Sequence, residues 1–220
     1  TWTDGDIKGP LTVAAGATLT LSSGGSKRLW GVLTNAGTVN QGDSLTMWNN
    51  GSSSYKGGVV QLSGSVWDLQ GNFSIYNYYG GEYFANGGRL RKSGGTGTSI
   101  IRVAFTNPGL VEAQSGILQF EEGGALAGAF TAALGATVQF AAGTWLATGN
   151  PALVGAGRYR WTSGTLRLSS DVLPGLEMAG GNLELGPAFQ GGSITNLTLS
   201  GPTLTGTNRL TGQMTWTDGD

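Results

Sequence analysis

Along most of the chain, apolar and polar residues alternate in runs of three to five, as in Thr137-Val138-Gln139-Phe140 and Thr165-Leu166-Arg167-Leu168. A period of two sends successive side chains to opposite faces, the pattern of a strand with one buried side. Such runs cover residues 11–13, 17–21, 29–33, 38–40, 44–48, 59–62, 65–69, 72–76, 89–91, 100–103, 110–112, 117–120, 137–140, 144–146, 158–161, 165–168, 182–185 and 197–199. Their starts are mostly seven to ten residues apart, with Gly, Asn or Ser at the breaks, which is the spacing of short strands joined by tight corners. No stretch holds a helical period. The alanine-rich stretch from Ala125 to Ala136 is interrupted by Gly128 and Gly135, and glycine is disfavoured in helix interiors by about 1 kcal/mol.

Short, regular strands fit an antiparallel sandwich or a parallel solenoid. Hairpin dipeptides are few for so many strands: Asn50-Gly51, Asn86-Gly87, Asp4-Gly5 and Asp218-Gly219. Most breaks are single-glycine corners, which let the chain turn and keep winding. The pattern therefore predicts an all-β chain, a parallel β-helix (β-solenoid). Three strands and roughly 20–24 residues per turn give about ten short coils, near 50 Å of length at the inter-strand spacing. Quasi-repeats agree with winding: Gly16-Ala17-Thr18-Leu19-Thr20-Leu21 resembles Gly135-Ala136-Thr137-Val138-Gln139-Phe140, and Trp161-Thr162-Ser163-Gly164 resembles Trp2-Thr3-Asp4-Gly5.

One recurrence is letter-perfect. Thr215-Trp216-Thr217-Asp218-Gly219-Asp220 repeats Thr1-Trp2-Thr3-Asp4-Gly5-Asp6 at an offset of 214 residues. Internal recurrence at a fixed offset marks repeat architectures. We read residues 1–214 as one solenoid unit of a tandem array and residues 215–220 as the start of the next copy. The repeat junction is then Trp2, Asp4 and Asp6 at one end and Trp216, Asp218 and Asp220 at the other, and the expected partner is an identical unit, head to tail. Coil ends expose unpaired strand edges that template another chain, so a following copy would satisfy them.

Composition narrows the function. Glycine makes up 41 of 220 residues without a Gly-x-x period, which excludes collagen. Hydrophobic residues at 39% are too many for a disordered linker. Net charge is −1 and charged residues are 11% of the chain. No basic stripe exists to neutralise phosphates, which argues against nucleic acid. No run of 18 apolar residues spans a bilayer. The chain has no cysteine and no histidine. That removes disulfides, His/Cys zinc sites and every Ser-His or Cys-His nucleophile pair, along with the side chain best suited to acid–base work near neutrality. We expect no catalytic residues, no metal and no cofactor.

The segments Thr34-Asn35-Ala36-Gly37-Thr38-Val39-Asn40 and Phe105-Thr106-Asn107-Pro108-Gly109-Leu110-Val111-Glu112-Ala113-Gln114-Ser115-Gly116-Ile117-Leu118-Gln119-Phe120 resemble the N-x-G-T-V-x-V-x-S-G-T-L-x-L coils of large bacterial secreted and surface proteins. These include adhesin-like and autotransporter-passenger-like right-handed β-helices. Residues 90–98 share the style, and Pro108 departs from it where the pattern has a small or polar residue. The resemblance implies a right-handed parallel β-helix, an extracellular or cell-surface setting and a structural role as filament or stalk, with glycan or host-surface binding as the alternative and polysaccharide cleavage as a third.

The remaining candidates are local. Asp4 and Asp6 supply too few oxygens for a calcium loop and read as a polar turn. Glu121 and Glu122 are adjacent, so on a strand they face opposite ways and do not form a glycosidase pair. Gly94-Gly95-Thr96-Gly97-Thr98 lacks the Gly-Lys-Ser/Thr ending of a phosphate loop. The threonines of the tail are irregularly spaced and read as a solvent face. The aromatic run from Tyr76 to Phe84 is the sharpest local feature, with Tyr76, Tyr78, Tyr79, Tyr83 and Phe84 as a contact patch for a glycan or a protein, or else as ring ladders within the coils.

Overall fold

The computed structural model describes residues 1–51, 55–148 and 151–219. The chain winds as a right-handed parallel β-helix of about ten turns. Three parallel sheets of nine, ten and seven strands form its walls. The first sheet runs from Gly5–Ile7 to Leu176–Met178, the second from Leu11–Val13 to Thr203–Thr205, and the third from Thr18–Leu21 to Ala152–Val154. A further parallel pair, Ile194–Ser200 with Leu210–Asp218, lies at the upper end. Among the described residues the one antiparallel contact is the bridge between Asn49 and Lys56.

Each coil visits the three sheets in turn, as Thr98–Arg102, Ala104–Thr106 and Leu110–Ala113 show. Coil length follows from the registers: 19 residues from Ser99 to Leu118, 20 from Leu118 to Val138 and 21 from Val138 to Tyr159. The first falls just below the expected range and the other two within its lower part. Two coils are longer: 28 residues from Val39 to Trp67, which carries the excursion bridged at Asn49 and Lys56 near Asn50-Gly51, and 26 from Ile75 to Ile101.

The core is a set of vertical columns. In the first sheet Ile101, Phe120, Phe140 and Trp161 lie in register. In the second, Leu33, Val59, Phe84 and Phe105 do so. In the third, Val39, Trp67, Leu90, Val111 and Phe130 follow one another. All of these side chains are buried. Burial at about 25 cal/mol per Å² of apolar surface drives the winding.

Polar ladders run beside the apolar ones. Asn35, Gln61 and Asn86 share a register at the corner leaving the second sheet. Each donates its amide to a carbonyl in the next coil: Asn35 to Val66, Gln61 to Arg89 and Asn86 to Leu110. Asn107 continues the pattern to Ala129 and accepts from Asn86 at 2.7 Å. Inside a corner no water can serve these carbonyls, so the amides do. This explains the Asn-x-Gly element read in the sequence.

Two lysines are buried as well. Lys92 donates to the carbonyls of Gly71 and Gly94 and to Asn72 Oδ1. Lys27 donates to the Gly25 carbonyl and to Asp43 at 2.7 Å. The hydrogen bond from Lys27, helped by the Ser44 N–H, holds the Asp43 carboxyl below its ordinary value against the opposing effect of burial. A carboxylate depressed in the folded state contributes stability that is complete above its unfolded pKa and is lost as pH falls through the folded one. Asp43→Asn is thus expected to destabilise the protein at pH 7 by about 1–3 kcal/mol, since a buried ammonium loses its partner while Asp43 itself is partly solvated. The variant should also lose less stability than the parent below about pH 4. Urea denaturation between pH 2 and 8 reads both effects.

Several expectations on strand limits change. Residues 29–33 are not one strand: Lys27–Leu29 and Val32–Asn35 belong to different sheets. The chain turns at Trp30 and Gly31, where an added Cβ would lie 2.2 Å from the Gly9 carbonyl oxygen. Residues 72–76 reduce to Ile75–Tyr76. The alanine-rich stretch is strand, as Gly123–Leu126 and Ala129–Ala132.

Candidate functional site at the two ends

The two copies of the hexapeptide sit at opposite ends of the helix and share local geometry. In the first, the Trp2 indole N–H donates to the Asp4 carbonyl at 2.9 Å and the Gly5 N–H to Asp4 Oδ1 at 2.7 Å. In the second, the Trp216 indole donates to the Asp218 carbonyl at 3.1 Å and the Gly219 N–H to Asp218 Oδ1 at 2.9 Å. Gly5 and Gly219 both take left-handed φ, +92° and +107°, which the Asp-Gly corner requires. Asp220 lies outside the described residues.

What differs is the side on which each copy is paired. The first copy bonds the coil that follows it: Trp2 N–H to Thr20 O at 2.7 Å, Ser22 N–H to Trp2 O at 3.1 Å and Gly25 N–H to Thr3 O at 2.9 Å. Its other edge is open: Gly5–Ile7 and Leu11–Val13 are terminal strands of their sheets, and Trp2 itself extends the third sheet below Leu21. The second copy bonds the coil that precedes it, with Trp216 in register with Leu199 and the Gly201 N–H on the Asp218 carbonyl at 2.8 Å. Its upper edge is open. Trp2, covered by the coil above, is 8% exposed, whereas Trp216 is 48% exposed. Asp6 pairs with Arg28 on the neighbouring coil at 2.7 Å and lies 3.9 Å from Lys8, so its charge is used within the wall.

The aromatic patch is divided by the fold. Phe84 is removed from it: adjacent strand residues face opposite ways, so with Tyr83 outside, Phe84 enters the core column and is fully buried. Tyr83 covers Gly58, with Lys56 over its ring at 5.7 Å. Tyr76 stands outside in register with Arg102, whose guanidinium lies 5.6 Å from its ring. Tyr78 and Tyr79 remain at the surface. Their N–H groups are held by the buried Glu82 carboxylate at 3.3 and 3.1 Å. Tyr78 stacks on Trp48 at 3.5 Å, and Trp48 on Trp30 at 4.8 Å. Sequence reading missed these two tryptophans, which come from the preceding coils.

A largely apolar cavity of about 420 Å³ opens where the third sheet stops at Ala152–Val154. Leu153, Val172, Leu173 and Pro174 are among its lining residues, and Asp171 is its one ionisable group. That carboxylate accepts from the Val172 N–H and the Gln190 amide. Glu121 is bound by Arg102 and Gln119. Among the described residues no cluster of three or more acids could hold a metal ion, and no helix is long and apolar enough to cross a membrane. Comparison of the chain with protein-family models, with curated proteins and with solved structures finds no match.

Proposed function

We propose that this chain is a structural repeat of a bacterial extracellular filament or surface stalk, stacking head to tail with identical units. The observation that carries the reading is the pair of hexapeptides with one geometry and opposite open edges. Residues 215–220 then form the first rung of the following unit. Trp216 would present to residues 20 and 22 of that copy the N–H and carbonyl that Trp2 presents to Thr20 and Ser22. Parallel pairing carried from one unit into the next, with apolar columns stacked along the coils, would transmit length and stiffness. The setting outside the cell rests on the resemblance of the coils to those of secreted and surface proteins. Glycan gripping by the aromatic patch is left with Tyr78 and Tyr79, and one face of Tyr78 is already stacked on Trp48, so stacking is the reading the geometry favours.

The test joins residues 1–214 to a second full copy. The double unit is expected to unfold in one transition above the midpoint of the single unit, because solenoid stability grows with each interface between neighbours. Trp216→Ala should lower the midpoint of the double unit and leave that of the single unit nearly unchanged. Two independent transitions at the single-unit midpoint would refute the stacking.

A further inference from the structure

The three outer walls differ in chemistry. On the third sheet, Arg91 pairs with Asp68 and Arg89 with Glu112 across neighbouring coils. On the first, Asp6 pairs with Arg28, and Arg158 and Arg160 with Glu177. The second sheet has a long neutral stretch. Its outward column starts at Thr12 and passes in register through Thr34, Val60, Ala85, Thr106 and Ala125 to Leu146. No member is charged. The next rungs are Arg167 and Glu184, which pair with each other. The companion outward positions Val32, Gly58, Tyr83, Ala104 and Thr144 are also neutral, with the Tyr83 ring lying over Gly58. Lys56, over the ring of Tyr83, borders the strip.

We propose that this strip is a lateral contact between two copies of the chain, each array lying against the same face of another. The proposal rests on the tandem reading. At about 4.8 Å per coil, seven rungs span about 29 Å, and a strand face about 10 Å wide gives about 300 Å² per copy. Two such faces bury about 600 Å², half of what a stable interface needs. One unit alone is therefore too small to pair, whereas an array offers the strip once per repeat and gains from effective concentration. A second array is the occupant that fits. Its strips recur with the same period, so all of them meet in register. Apart from Tyr83, whose ring lies over Gly58, and Leu146, the side chains of the strip are short and neutral, which allows two sheets to close to about 10 Å. The walls bearing ion pairs would have to desolvate charges to do the same.

Chains of one, three and six tandem copies test this, with particle length from small-angle scattering and mass from sedimentation at tens of micromolar. Length should grow in proportion to copy number. The single unit should sediment as a monomer and the three- and six-copy chains at twice their own mass. Thr34→Lys together with Ala85→Lys, both outward positions, should keep the length and the circular dichroism while returning the mass to one chain. Pairing should persist in 1 M salt, because no charges hold it. Long arrays that stay single, or lysine variants that still pair, would overturn the lateral contact and leave stacking intact. Length that fails to grow would instead overturn the stacking.

Discussion

Phe120→Ala is expected to lower stability by about 3–5 kcal/mol, the usual cost of emptying an aromatic site in a packed core. Phe120 is fully buried at the crossing of two columns. Its ring lies 4.7 Å from Phe105, 5.6 Å from Phe140 and 5.9 Å from Trp145, centroid to centroid. It stacks on Phe140 and meets Trp145 edge to face, arrangements worth more than burial alone. These neighbours come from the coils on either side, Phe105 from one and Phe140 and Trp145 from the other, and backbone pairing fixes the spacing of the coils, so the walls cannot collapse to fill the void. Urea denaturation should show the full loss in midpoint. Phe120→Leu, which keeps most of the volume, should cost about half as much or less. A loss below 1 kcal/mol for the alanine variant would mean that the aromatic columns do not hold the coils together.

The architecture could be read from the sequence because each short strand carries its own period of two and each corner its own glycine or asparagine. Alternation fails where inside and outside residues differ little. Gly123–Leu126 and Ala129–Ala132 are built from small residues and gave no clear run. At Tyr83–Asn86 two aromatics stand side by side, and their adjacency suggested a common patch although they face opposite ways. The aromatic stack was illegible for another reason. Trp30 and Trp48 reach Tyr78 from earlier coils, and the excursion within the long coil hides the offset between them. Lys92 did carry a signal: Arg89 and Arg91 outside and Leu90 inside place Lys92 inside by alternation. The recurrence of the hexapeptide was plain as letters, but its opposite pairing at the two ends emerges only when the coils are wound.

The second large effect is expected at Gly124. This residue takes an inward position of the second sheet, in register between Phe105 and Trp145. Its φ is +140°, and an added Cβ would sit 1.8 Å from the Phe105 carbonyl oxygen. Gly124→Ala therefore meets two penalties: about 1–3 kcal/mol for holding a side chain at such a φ, and about 1–3 kcal/mol more for forcing neighbouring coils apart. The obstructing atom is backbone in a paired strand and cannot swing away. Gly64 separates the two contributions. It also has positive φ, +82°, but nothing lies within 4 Å of its missing Cβ. Gly64→Ala should cost only about 1–2 kcal/mol, the price of the left-handed conformation. Thermal or urea denaturation of both variants checks the difference. Equal losses would mean that the close approach of coils at Gly124 has no energetic consequence, and that glycine is required there for its backbone freedom alone.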